Sequence, residues 1–450
     1  MYLPPTATIL HMESVIRFDL SPKQSRTVKR LLSALFSRKA IEPVTIERVR
    51  KLGLSTLWRE LKVGNDGVKV LLTESGFAAR ESLVDLLDTA CVTHELCDRS
   101  DIARAMRDIS EESWNEGQCP EDASELVHSL RIKISSAVAE HTYVVSMRGV
   151  TLVGVENVRL GTLTLHASAE AFLAKSEVAH EVSSHKEELS RLLAGPCLSG
   201  TRLGTSGAAM RWYKEQAFLA AGMLAVDAGA VYERGATTFC IRPEFDDVNG
   251  GWSCTHLYWN GNEKSLGRAY SGARGHQLEL SPERVSQLTE PGAFVHAFEI
   301  LQKTQRTELE DAITRAVYWY GDAHRDSVPI MQFVKYWSCL ESLLGGPGDN
   351  LTETLAVGVV IVLTYGHFRL LQESDREEHV RTVKRLYGLR SRAVHRASHS
   401  HVSHRDVVLV SVWAAWVIYN TISFANAGMP DTSTLWKQVR QLTKDDGPAD

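Results

Sequence analysis

Leu386-Tyr387-Gly388-Leu389-Arg390-Ser391-Arg392-Ala393-Val394-His395 places an arginine and a histidine five residues apart in a segment that otherwise reads as a buried helix. Val383, Leu386, Tyr387 and Val394 recur at the spacing of one helix face, with Arg390 in the middle of it. An unpaired guanidinium in an apolar interior is strongly destabilising. The face therefore needs a counter-charge, or it opens onto a cleft where a cation is useful. Upstream, Ile330, Phe333, Val334, Trp337, Leu340 and Leu344 form a second stripe, and Glu341 lies on it four residues after Trp337. Glu341 and Arg390 are expected to meet or to line one cavity. A structural ion pair would account for both residues. It leaves out His395, which an ideal helix carries about 140° around from Arg390. A break or bend near the helix end would point both toward one cleft.

The chain has 450 residues, enough for two or three domains, and its 44% hydrophobic and 23% charged content is that of a globular protein. A net charge of −5 gives no global attraction to nucleic acid, so any RNA affinity must be local. A local run exists: Arg381, Lys384, Arg385, Arg390, Arg392, Arg396 and Arg405 follow one another with no acidic residue between them. Arg381, Lys384 and Arg385 read as a solvated outer face. The seven cysteines form no C-x-x-C pair, which argues against a disulfide framework or zinc ribbon and fits a reducing cytoplasm. Met1 to Leu10 lacks the pattern of a signal peptide. Val407 to Ala425 is uncharged over a length close to a bilayer span, but Ser411, Asn420, Thr421 and Ser423 interrupt it; it reads as a core helix, with no membrane partner.

The periodicities imply an α+β, mainly α, multidomain protein. Residues 1–140 read as mostly helical, with stripes at Leu31, Leu32, Leu35 and at Leu83, Leu86, Leu87, Ala90, Cys91, and a further helix over Asp122–Ala139. Residues 141–300 read as a mixed strand and helix domain of sensor or regulatory type. Strands are expected at Tyr143–Val145, Thr162–Leu165, Thr237–Ile241 and Thr255–Trp259, with a turn at Asn260-Gly261 and a long helix over Ala208–Val226. Ser281-Pro282-Glu283 supplies a cap, a first-turn proline and an early acid. Residues 301–426 read as a helical bundle, with helices over Leu309–Tyr320, Pro329–Leu344, Leu351–Leu371, Glu378–His395 and Val407–Phe424, and a break at Gly345–Asn350. Residues 427–450 form a polar tail in which Leu435, Trp436, Val439 and Leu442 allow a short helix.

The segment from about Glu308 to Ala425 resembles the Apea-like HEPN domain family, an all-helical module of bacterial defence and toxin systems. The resemblance rests on Ala316-Val317-Tyr318-Trp319-Tyr320, on Phe333 to Trp337 leading into Leu340-Glu341-Ser342-Leu343-Leu344, and on the arginine, four residues, histidine pattern of Arg390 and His395. It covers little more than a quarter of the chain. After the histidine the family commonly turns through glycine, whereas Arg396-Ala397-Ser398 here allows the helix to continue. No tyrosine follows the histidine, so control by a nucleotidyltransferase partner is not implied.

The resemblance implies metal-independent RNA cleavage by 2′-hydroxyl attack, leaving a 2′,3′-cyclic phosphate and a 5′-hydroxyl, with no cofactor. Arg390 and His395 are then the catalytic pair, an imidazole to move a proton and a guanidinium to meet developing phosphorane charge. Glu341 orients Arg390; Arg392, Arg396 and His399 are candidate RNA contacts. The family's habit of pairing implies a homodimer through the bundle, and a toxin or antiviral defence role silenced by the N-terminal part or released by a regulatory protein or trigger. The alternative is a HEPN scaffold without chemistry, serving dimerisation or RNA binding.

Three other patterns carry less. His395, His399, His401 and His404 invite a metal, but no cysteine or carboxylate ligand accompanies them. Gly195, Gly200, Gly204 and Gly207 lack the lysine of a phosphate loop and read as a connector. Glu244, Asp246, Asp247 and Asn249 lack the closing glutamate of a calcium loop and read as a solvated turn.

Overall fold

The computed structural model describes residues 15–52, 59–63, 68–232, 239–245, 253–258, 267–271, 277–326, 328–345, 351–396 and 402–444. The chain is an α+β protein in which helices dominate, and it forms two compact units, residues 1–142 with 201–213 and residues 143–200 with 214–450. The expectations for Met1–Leu10, the Asn260-Gly261 turn, Gly346 to Asn350, Asp246, Asp247, Asn249, His399 and His401 fall outside the described residues.

The first unit is helical around one small sheet. Its elements are α1 (Pro22–Leu35), β1 (Ile41–Pro43), α2 (Ile46–Leu52), β2 (Glu60–Val63), β3 (Val68–Leu72), α3 (Glu74–Ala90), α4 (Arg99–Glu116) and α5 (Ala123–Ser136). The strands pair antiparallel in the order β1-β3-β2. The helix starts are set by polar caps. Ser21 and Gln24 form a capping box, Asp98 and Asp101 form another, and Asp122 accepts from the amides of Ser124 and Glu125. Leu32, Leu35, Leu83, Leu87, Ile102, Met106, Leu126 and Leu130 close one core, with Leu31 and Leu86 at its edge. Cys91 and Cys97, separate in sequence, come within 3.7 Å as free buried thiols.

In the second unit β4 (Ala139–Arg148, from Tyr143 onward), β6 (Asn157–Leu160), β7 (Leu163–His166), β8 (Cys197–Gly204, as far as Gly200) and β9 (Arg242–Pro243) form a five-stranded sheet in the order β6-β7-β8-β4-β9. β5 (Val150–Leu152) pairs parallel with β12 (Leu278–Leu280), and β10 (Ser253–Tyr258) pairs antiparallel with β11 (Gly267–Ser271). Two expectations fail here. The glycine-spaced stretch is not a connector, because Cys197–Gly204 is the middle strand of the sheet, its residues buried from Cys197 to Gly200. Phe239 to Ile241 is irregular, and the short pairing with β4 falls instead at Arg242–Pro243. Residues 237 and 238 lie outside the described residues.

Besides three short helical turns at Ala169–Leu173, Ala179–Ser184 and Ser190–Leu193, the described helices of this unit are α6 (Ser206–Val231, from Lys214 onward), α7 (Pro282–Thr289), α8 (Ala293–Gln302), α9 (Glu308–Arg325), α10 (Pro329–Leu344), α11 (Leu351–Tyr365), α12 (Arg376–Arg396), α13 (His404–Asn426) and α14 (Thr432–Lys444). α13 packs against α8, α9, α10 and α11. It is, among the described residues, the one helix long and apolar enough to cross a membrane, and 67% of its most apolar window is buried inside the protein. Its polar residues are used internally. Asn420 accepts from the Phe368 amide at 2.8 Å and donates to the Phe368 and Trp416 carbonyls at 3.1 Å. That clamp explains why α11 stops at Tyr365 rather than running to Leu371: the chain turns at Gly366 and Asn420 holds the turn. Tyr419 donates to Asp227 at 2.9 Å, and the same carboxylate bonds Arg284. α14 docks through Leu435, Trp436 and Val439.

His324, near the end of α9, is fully buried beside the Tyr320 ring, and neither ring nitrogen has a protein partner among the described residues. Burial pushes its pKa down to about 3 from an ordinary 6.5. The folded state therefore holds the neutral ring, while the unfolded chain binds a proton below about pH 6.5. The resulting stability is fully present above that pH and falls by up to about 1.4 kcal/mol per unit as pH drops toward 3. Urea unfolding of the native chain and of His324→Phe at about pH 7.5 and pH 5 checks this: the variant should lose distinctly less stability across the interval, and equal losses would remove His324 as the cause.

Candidate functional site

The sequence places one charge on the apolar stripe of each of two helices, and the fold brings them together. Arg390 Nη2 donates to Glu341 Oε2 at 2.8 Å, joining α12 to α10. Both side chains are largely covered, 18% and 21% exposed. Trp337, one turn before Glu341, meets Tyr387 edge to face at 5.2 Å, and the Arg390 guanidinium lies 5.7 Å from the centre of the Tyr387 ring. Burial and the Glu341 carboxylate raise the Tyr387 hydroxyl above its ordinary pKa. The cluster is only partly satisfied. Arg390 Nε, Glu341 Oε1 and Trp337 Nε1 are buried with no hydrogen-bond partner among the described residues.

His395 is placed differently. α12 runs unbroken through His395 to Arg396, so no bend turns the imidazole toward Arg390. Ideal helix geometry then holds, with the two residues about 140° apart around the axis and about 7.5 Å apart along it. His395 is exposed and has no hydrogen bond or ion pair to Arg390. The convergence expected within one chain is therefore not formed, because nothing between the two residues breaks the helix; Ser391 to Val394 all keep helical geometry. Val394 departs from expectation too. It is 46% exposed, while Leu389 and Ala393 are buried beside Val383, Leu386 and Tyr387, so the covered face ends before Val394.

The basic run divides in two. Lys384 pairs with Glu353 at 2.5 Å and Arg385 with Asp406 at 2.8 Å, so these two brace α12 rather than forming a merely solvated face. Arg392 and Arg405 are exposed. Arg396 ends the helix, and His399 lies outside the described residues. Among the described residues no group of three or more His, Cys, Asp or Glu side chains is placed to hold a metal ion. The chemistry within reach is electrostatic and acid–base: a guanidinium held by a carboxylate, and an exposed imidazole one and a half turns further on.

Sequence reasoning passed over the acids that brace Lys384 and Arg385. Glu353 and Asp406 are remote in sequence, and only the capping box that starts α13, with Ser403 and Asp406 bonding each other's backbone, left a local trace. No family model, no curated protein and no solved structure matches the chain.

Removing one partner of the ion pair should expose the cost of the other. Because each side chain is about one-fifth exposed, Glu341→Ala should destabilise by about 1–3 kcal/mol, below the range for fully buried pairs. In a double-mutant cycle with Arg390→Ala, chemical denaturation should return a favourable coupling of about 1 kcal/mol or more. Additive losses would show that the contact contributes nothing.

Proposed function

We propose that the C-terminal helices form a metal-independent endoribonuclease of HEPN type that acts as a pair of chains, with the remainder of the chain regulating it. The observation that supports this reading most is the state of Arg390. Glu341 fixes the guanidinium, yet its Nε remains unmatched among the described residues, and an exposed imidazole stands on the same unbroken helix. A fixed, permanently charged group suits the developing charge of a phosphorane, and an exposed imidazole suits proton transfer near neutral pH.

In this mechanism the ribose 2′-oxygen attacks the adjacent phosphorus and its proton passes to a base. The bond to the 5′-oxygen breaks as that oxygen receives a proton, leaving a 2′,3′-cyclic phosphate and a 5′-hydroxyl. His395 moves the proton and Arg390 neutralises the phosphoryl oxygens, while Arg392 holds a neighbouring phosphate. A separation of about 140° around one helix keeps Arg390 and His395 of one chain from meeting one phosphate. The site is therefore composite, taking the guanidinium from one copy and the imidazole from the other. A defence or toxin role belongs to the same proposal.

A second reading has its own support. A paired Arg390 and an outward His395 are what a non-catalytic dimerising or RNA-binding scaffold also presents.

One experiment separates the two. Purified full-length chain should cleave RNA to cyclic-phosphate and 5′-hydroxyl ends, and Arg390→Ala and His395→Ala should each lower the rate by about 10²–10⁴-fold. Mixing the two inactive variants should restore about a quarter of the native rate, since half the pairs carry one intact composite site. No recovery on mixing removes the composite site; equal cleavage by all three proteins removes both residues from the chemistry. Folded, paired chains without cleavage would leave the scaffold.

A further inference from the structure

A second feature lies away from the motif helix, where α6, α9 and the end of β9 meet. Lys214 and Phe218 stand one turn apart on α6, and Tyr318 and Arg325 stand two turns apart on α9, so each helix turns one pair to a common side. Phe245, just after β9, completes the wall. Close approach of the two helices sets the geometry. A Cβ on Gly321 would come within 2.9 Å of the Gly222 Cα, and one on Gly222 within 2.8 Å of the Val317 carbonyl oxygen. Beside that contact a cavity of about 360 Å³ is lined by Phe218, Phe245, Tyr318, Arg242 and Arg325 together with Pro243 and Glu244.

The lining is unusual in pairing rings with cations. Phe218 and Phe245 meet edge to face at 5.5 Å. The Arg325 guanidinium covers the Phe218 ring at 4.1 Å and lies 6.0 Å from that of Tyr318. Lys214 lies 5.4 Å from the centre of Phe245. Arg325 is held flat by Asp322 at 2.7 Å, and Asp322 is itself held by Lys335 at 2.8 Å. Tyr318 is 45% exposed and the adjoining Trp319 is also open. Core packing does not explain an exposed tyrosine facing a stacked guanidinium beside two more basic residues. The volume falls in the range of small-ligand sites. Aromatic faces with flanking cations bind a planar base by stacking and its phosphate by charge.

We propose that this cavity binds a nucleotide, its base stacked on Tyr318 and against the Arg325 plane and its phosphate toward Arg242 and Lys214. The ligand is either a free mononucleotide or one unit of a single-stranded RNA. The site shares no residue with Glu341, Arg390 and His395, and its test reads binding rather than cleavage, so it stands or falls apart from the nuclease reading.

The test is titration calorimetry of the full-length chain with adenosine monophosphate, adenosine, ribose 5-phosphate and a short single-stranded RNA, using the His395→Ala background so that RNA stays intact. Adenosine monophosphate should bind more tightly than either fragment. Tyr318→Ala should weaken it about tenfold or more, while Tyr318→Phe, which keeps the ring, should bind as the parent does. Tyr318 is exposed, so neither change threatens folding; Lys214→Ala should weaken the nucleotide and leave adenosine unaffected. RNA binding at least tenfold tighter than the mononucleotide assigns a strand as the source, and equal affinity assigns the free nucleotide. No binding of any nucleotide at millimolar concentration, or equal binding by parent and Tyr318→Ala, overturns the proposal.

Discussion

A guanidinium placed on an apolar helix face must be given a counter-charge, and the bond between Arg390 and Glu341 meets that requirement for the motif helix. Either residue alone would leave a largely covered charge unpaired. Together they fix the rotation of α12 relative to α10, because only one setting brings Nη2 to Oε2 while Trp337 and Tyr387 pack edge to face. Lys384 with Glu353 and Arg385 with Asp406 then secure the same helix to α11 and to the start of α13. These outer pairs contribute modestly one by one, being partly exposed. Their shared effect is registry: three basic residues of α12 reach three different helices, and a rotation of α12 would break all three contacts.

Around this frame α13 does the packing. Its apolar residues fill the bundle, and its buried polar residues Asp406, Ser411, Tyr419, Asn420 and Thr421 each have a partner inside the protein. Asn420 holds the turn after α11, and Thr421 donates to the Val417 carbonyl at 2.7 Å. Tyr419 reaches Asp227 on α6, where burial and that carboxylate together hold the tyrosine hydroxyl well above its ordinary pKa. These bonds tie the buried polar residues of α13 to the elements packed around it.

What was legible in the sequence was local. Periodic stripes located α5, α10 and α13 closely and marked parts of α1 and α3, and the Ser281-Pro282-Glu283 cap marked the start of α7, because a cap and a 3.6-residue repeat act over a few residues. The opposed charges Glu341 and Arg390 were legible for a related reason: an ion on an apolar stripe is conspicuous and has few possible partners. Long-range features were not legible. The end of α11 depends on Asn420, more than fifty residues away, and β8 is a strand because β7 and β4 flank it, despite its glycines. Val394 keeps the helical period, but a period does not say where the covering layer stops. Cys91 and Cys97, and the rings of Phe218, Phe245 and Tyr318, meet only through tertiary packing that no spacing encodes.

The unbroken course of α12 bears directly on how a nuclease could be built here. Within one chain Arg390 faces inward to Glu341, while Arg392 and His395, three residues apart, share the exposed side and Val394 lies at the rim of the covered face. A two-fold contact is self-complementary, so an outward strip carrying Arg392 and His395 would meet its own copy in reverse order. Arg392 brings like charge to both sides of such a contact, which opposes closure of the bare pair. A phosphodiester strand between the copies relieves that repulsion. On the proposed reading, pairing and RNA binding are thus coupled, and the imidazole from one copy reaches the phosphate held by the other only when the strand is in place.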